Sequence, residues 1–161
     1  MEEDKFKKLK WCGKINEGLR IVEPSERLSE SYLNEAKLSL KRAEKNFEDK
    51  DLLWTTVVIY YAEYYALYSF LQRIGLKCEN HSCSILAVSY LLDKSEINII
   101  NNHKDKRIDA QYYMRIGKEA EVEAVLKEAK SFVLMFEDLI LNLDEKQIGF
   151  YRNKIINMID N

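Results

Sequence analysis

The feature that most constrains the fold is a long apolar and aromatic stretch, Trp54 to Gly75, reading WTTVVIYYAEYYALYSFLQRIG. It holds five tyrosines between Tyr60 and Tyr68, and its only charged residues are Glu63 and Arg73. Tyr60, Tyr61, Glu63, Tyr64 and Tyr65 make it too polar for a convincing membrane span. A helix wet on one side would not carry large apolar groups nearly all round. The stretch therefore predicts a central helix covered by other helices, stopped by Gly75, with tyrosine hydroxyls left for a groove or a partner.

The flanking sequence supplies the cover. A chain of 161 residues is long enough for one domain with a real core. One proline and five glycines are too little punctuation for a turn-rich sheet fold. Behind Pro24 and Ser25, the apolar positions Leu28, Tyr32, Ala36, Leu40, Ala43 and Phe47 recur at helical spacing. Asp49 or Asp51 can cap the central helix, and Asn80 can cap a third helix over roughly His81 to Leu92. Ile97 and Ile100 suggest a short fourth helix, and Arg107 to Gly117 reads as a polar, aromatic connection. A wide apolar stripe from Val122 to Ile140 marks a helix over about 118–142. Asp144 and Gln147 form a capping-box pattern ahead of a last amphipathic segment.

The expected fold is all-α, an up-and-down antiparallel helical bundle of four to five helices. We divide it into an N-terminal arm (1–24), the bundle (25–142) and a C-terminal helical extension (143–161). Lys5, Lys7, Lys8, Lys10 and Lys14 make the arm basic. It reads as a solvated segment, with a nucleic-acid contact as the sharper alternative. Excess aromatic surface on the central helix is consistent with a homodimer.

A formal net charge of −2 gives no global demand for nucleic acid, though a local basic patch is compatible with it. No apolar run follows the opening charges, so we expect no signal peptide, a cytoplasmic setting without membrane contact, and reduced thiols. The three cysteines cannot all pair within one chain. Cys78, His81 and Cys83 could supply two thiolates and an imidazole to a metal. Zinc wants four ligands, and Cys12 would be a distant fourth. The other reading is a helix start with small buried residues, Cys83 pointing inward. We expect no cofactor.

Three pieces, taken together, resemble the HEPN domain family, in its branch of small stand-alone prokaryotic proteins. Tyr60-Tyr61-Ala62-Glu63-Tyr64-Tyr65-Ala66 resembles that branch's YYAxxxA pattern. Gly75-Leu76 with Asn80-His81-Ser82 resembles its GL…HS loop, and Arg107-Ile108-Asp109-Ala110-Gln111-Tyr112 resembles its RxxADY element. The resemblance covers roughly Leu28 to Leu141. It implies a helical bundle, often dimeric, acting as the toxin half of a toxin–antitoxin pair or as partner of a nucleotidyltransferase. Active ribonucleases of the family carry an arginine followed four to six residues later by a histidine. Here Arg107 is followed by no such histidine, and Asn157 stands where one would follow Arg152-Asn153.

Metal-independent RNA cleavage needs a base for the 2′-hydroxyl proton and a cation for the phosphate. His103 lies four residues before Arg107 and could share a helix face with it. Arg107 and His103 are thus the catalytic candidates, with His81 the other histidine. For phosphate or nucleotide binding the candidates are Arg107, Asp109, Lys104 and Lys106, with Tyr61, Tyr65 and Tyr112 to stack on a base. The plain alternative has Arg107 paired with Glu63 or Asp109, and Tyr112 packed across the central helix. Three functions stay open: a nucleotide, RNA or protein binder; an altered ribonuclease toxin; or a purely structural dimeric module.

Overall fold

The computed structural model describes residues 2–160. It is an all-α, up-and-down protein. Among the described residues there are seven α-helices rather than four or five: α1 (Glu2–Cys12), α2 (Glu26–Glu48), α3 (Leu52–Ile74), α4 (His81–Leu92), α5 (Ile99–Tyr113), α6 (Glu119–Leu141) and α7 (Glu145–Asp160). A 3-10 turn, Ser95–Asn98, leads into α5.

The caps follow the sequence. Ser25 accepts from the Leu28 N–H, Asp51 from Trp54 and Asn80 from Cys83, so each side chain satisfies a donor that the first turn leaves open. Asp144 and Gln147 exchange reciprocal bonds as a capping box at the start of α7. Gly75 ends α3 at φ 78°, in the left-handed region.

Helix α3 is the axis of the molecule. It packs against α2, α4, α5, α6 and α7. Ile59, Tyr60, Ala62, Leu67, Phe70, Leu71 and Ile74 are fully buried along it. Phe132, Val133 and Phe136 of α6 and Ile155 of α7 complete the core around it. No helix among the described residues is long and apolar enough to cross a membrane.

Three further expectations need correction. The N-terminal segment is not a solvated arm. Leu9, Cys12 and Leu19 are buried, and Arg20–Ile21 (β1) pairs antiparallel with Leu76–Lys77 (β2). The Glu17 carbonyl accepts from Glu79 and Asn80. Gly18 is needed there, because a Cβ would stand 1.8 Å from the Cys12 carbonyl oxygen. The thiols are not all reduced either: Cys12 and Cys83 form a disulfide between α1 and α4, leaving Cys78 free and buried. The polar connection expected after Arg107 is also helical as far as Tyr113, where Met114 turns the chain at φ 53°.

Candidate functional site

Tyr60, Tyr64 and Tyr68 stand four residues apart on α3, so their rings line up along one face. Neighbouring rings stack with centroids 6.1 and 5.8 Å apart. Each hydroxyl is used inside the protein. Tyr60 meets His81 Nδ1 at 2.9 Å, Tyr64 meets Ser84 Oγ at 3.0 Å, and Tyr68 accepts from the Cys78 N–H. Burial pushes the Tyr60 and Tyr64 phenols well above their ordinary range, so both stay protonated. The hydroxyls expected to face a groove are therefore committed on this face. Tyr61 and Tyr65 remain partly exposed, with Tyr65 stacked on Tyr32 of α2.

Arg107 of α5 lies across this ladder. Its guanidinium sits 4.9 Å from the Tyr60 ring centroid and 5.6 Å from that of Tyr61, and its Nη1 donates to the Tyr61 hydroxyl at 2.9 Å. Pairing with Glu63 or Asp109 does not occur. Among the described residues no carboxylate forms an ion pair with Arg107. Its Nε is buried without a hydrogen-bond partner. Aromatic faces thus position the cation while leaving its charge uncompensated.

Lys104 of α5 and His81 of α4 complete the cluster. Lys104, one turn before Arg107, donates to Ser82 Oγ at 2.6 Å. His81 stacks on Tyr64 with ring centroids 3.8 Å apart. Burial, with the Arg107 and Lys104 charges beside it, holds His81 below its ordinary value of 6.5, so it is neutral near pH 7. Its hydrogen bond to Tyr60 admits both polarities. With Nδ1–H donated to the phenol, Nε2 carries a lone pair.

His103, the candidate base, is a buried residue. It is 2 % exposed. Its Nδ1 bonds Glu63 on α3 and its Nε2 bonds Glu128 on α6 at 2.8 Å. Burial opposes its charge, but the hydrogen bonds and charges of Glu63 and then Glu128 prevail and raise it above 6.5. Burial also raises the Glu63 carboxyl. The two shifts agree that the pair retains its proton to higher pH. Both ring nitrogens are bonded to carboxylates, so His103 is a structural link between three helices and not a base beside Arg107.

The remaining candidates separate. Asp109 and Lys106 line another cavity, of about 250 Å³, with Arg115 and Glu121. Tyr112 is 66 % exposed and does not pack across α3. The metal reading fails for Cys83, whose sulfur is in the disulfide. His81 is held by tyrosines, and no group of three or more possible metal-binding His, Cys, Asp or Glu residues occurs among the described residues. Sequence reasoning missed the Glu63–His103–Glu128 link, although a lone glutamate inside an apolar helix signals a buried partner.

A search of curated proteins finds no match, and neither does a search of solved structures. The HEPN domain profile matches residues 29–139, which takes in α2, α3, α4 and α5 and nearly all of α6, and so includes Arg107, Lys104, His81 and the tyrosine ladder. By that match, over most of its length, the chain belongs to the HEPN domain family.

Proposed function

We propose that this protein binds the phosphate of a nucleotide or of RNA through Arg107 and Lys104, as a component of a toxin–antitoxin or nucleotidyltransferase-associated system. The observation that supports this is the Arg107 guanidinium, stacked on two tyrosine rings with no carboxylate pairing it. Arginine's planar fork matches phosphate oxygens, and Lys104 adds a second cation one turn away. Tyr61 offers a partly exposed ring beside them. Homodimerisation, an antitoxin or nucleotidyltransferase partner, and placement in the small prokaryotic branch of the family belong to the same reading.

The test is titration of a fluorescein-labelled hexauridylate with purified protein. Arg107→Ala is expected to weaken binding at least tenfold while the melting temperature stays close to wild type. Equal affinity in both proteins would overturn the reading. Light scattering tests the dimer separately, and a monomer at working concentration would remove it. The Cys12–Cys83 disulfide argues against the expected cytoplasmic setting, which would keep both thiols reduced. Alkylation in intact cells followed by thiol counting tests it: three modified cysteines support it, and one overturns it.

A ribonuclease reading has one observation in its favour, a neutral His81 beside Arg107. His81 Nε2 would take the 2′-hydroxyl proton, the 2′-oxygen would attack phosphorus, and Arg107 would steady the phosphorane. The P–O5′ bond would then break and the 5′-oxygen take a proton from water, leaving a 2′,3′-cyclic phosphate. Cleavage in EDTA that is lost in both His81→Ala and Arg107→Ala supports it. No cleavage by folded protein rejects it.

A further inference from the structure

Between α1, α4 and the start of α5 lies a groove of about 520 Å³, within the ordinary range of small-ligand sites. Three rows of residues line it, their members three or seven positions apart, as on one face of a helix. Helix α1 contributes Lys5, Lys8 and Trp11; α4 contributes Ser82 and Ser89; the α5 end contributes Asn98 and Asn101. None of the described lining residues is acidic. Lys5 and Lys8 are exposed, and neither forms an ion pair with a described residue. Trp11 is 54 % exposed, with its ring free to take a partner. The Cys12–Cys83 disulfide ties α1 to α4 at the groove and fixes the distance between its walls.

The groove continues into the Arg107 cluster. Ser82 lines the groove and also accepts from Lys104. Along α5, Asn101, Lys104 and Arg107 follow one another at single-turn intervals, so neighbours in this series touch the same strip of surface. An extended polyanion held at Arg107 and Lys104 would run past Ser82 and into the groove.

We infer that this groove is a second nucleotide subsite, which holds a neighbouring unit of a single-stranded RNA whose phosphate is held at Arg107. Trp11 stacks on the base, Asn98 and Asn101 present amide donors and acceptors to its edge, and Lys5 and Lys8 take the adjoining phosphates. The chemistry is that of single strands: a splayed base on an aromatic platform beside a cationic track. Lys5 and Lys8, which form no ion pair with a described residue, then have a role. The inference rests on the phosphate reading for Arg107, but its test separates the two.

The experiment compares labelled mono-, di- and hexauridylate on wild type, Trp11→Ala, Lys5→Ala/Lys8→Ala and Arg107→Ala, with folding checked by circular dichroism. Wild type is expected to gain affinity as the strand lengthens. Trp11→Ala should weaken hexauridylate binding roughly tenfold, as expected for one lost base stack, and leave uridine monophosphate unaffected. The double lysine variant should flatten the salt dependence, by about 0.7 in the log–log slope for each lost phosphate contact. Loss of binding in Arg107→Ala with no effect of the α1 variants overturns the groove and keeps the phosphate site. Weakening by the α1 variants with Arg107→Ala unchanged keeps the groove and overturns the phosphate site. No binding of any strand by folded wild type overturns both. Because Trp11, Lys5 and Lys8 are exposed, these variants leave the core intact.

Discussion

Two arginines meet the central helix, and they do opposite things there. At the C-terminal end of α3, Nη1 of Arg152 reaches in from α7 and donates to the carbonyls of Val22, Ile74 and Gly75 at 2.8, 2.9 and 3.0 Å. That end is closed. A cation meets the orphan carbonyls where the helix dipole is negative, and a Cβ on Gly75 would stand 2.0 Å from the same Nη1. Along the middle of α3, Arg107 makes one hydrogen bond, to a tyrosine, and leaves Nε without a partner. The same side chain is held by three carbonyls in one place and held ready in the other. What differs is the neighbour: carbonyl oxygens consume donors, whereas aromatic faces position a cation without consuming its hydrogen-bonding edge.

That contrast predicts opposite signatures for substitutions. The largest loss of stability is expected at the buried Glu63–His103–Glu128 link. His103→Ala leaves Glu63 buried without its partner and should cost about 3–5 kcal/mol, read by urea denaturation. Arg152→Ala should cost about 2–3 kcal/mol, since three carbonyls lose a charged donor, with ligand binding by the remaining folded protein unchanged. Arg107→Ala should cost no more than about 1 kcal/mol, the worth of its ring contacts, while binding collapses. If Arg107→Ala destabilised as much as Arg152→Ala, the distinction between the two arginines would fail.

The smallest effect is a pH dependence that sharpens the comparison between the two histidines. His103 is raised in the folded state, so its contribution is fully present below 6.5 and is lost as pH rises through its folded value. His81 is lowered, so the unfolded chain binds the extra proton, and stability falls as pH drops below 6.5. Glu128→Gln should flatten the alkaline limb and leave the acid limb in place, as followed by melting temperature against pH. A Glu128→Gln profile identical to wild type would show that the link does not set the alkaline limb.

Local chemistry was legible in the sequence wherever a single segment decides the outcome. Asn80 before His81 caps α4 as expected, and the Asp144–Gln147 box forms as its spacing predicts. The lysines of the α1 segment suggest a solvated arm. What holds it is Cys12 bonded to Cys83, seventy-one residues away, with Leu9 buried beneath. His103 looked like a surface residue in a basic run, since Lys104, Asp105 and Lys106 follow it directly. Its burial depends on Glu63 and Glu128, which belong to other helices. Arg107 was singled out from its resemblance to a family element, yet the partner suggested for it, Glu63, was taken by His103.

The sequence by itself determined the all-α class, the central place of α3 and most of the helix ends, because hydrophobic periodicity and capping act over a few residues of one segment. Only the tertiary structure decided which histidine holds its proton more tightly and which less, which arginine is closed off and which is left open, and where the first helix docks. Those outcomes turn on distances of 2.8–3.0 Å between residues from different helices, such as His103 to Glu128 and Arg152 to Ile74. Hydrogen bonds and charge pairing fall off too steeply with distance to be read from order along a chain.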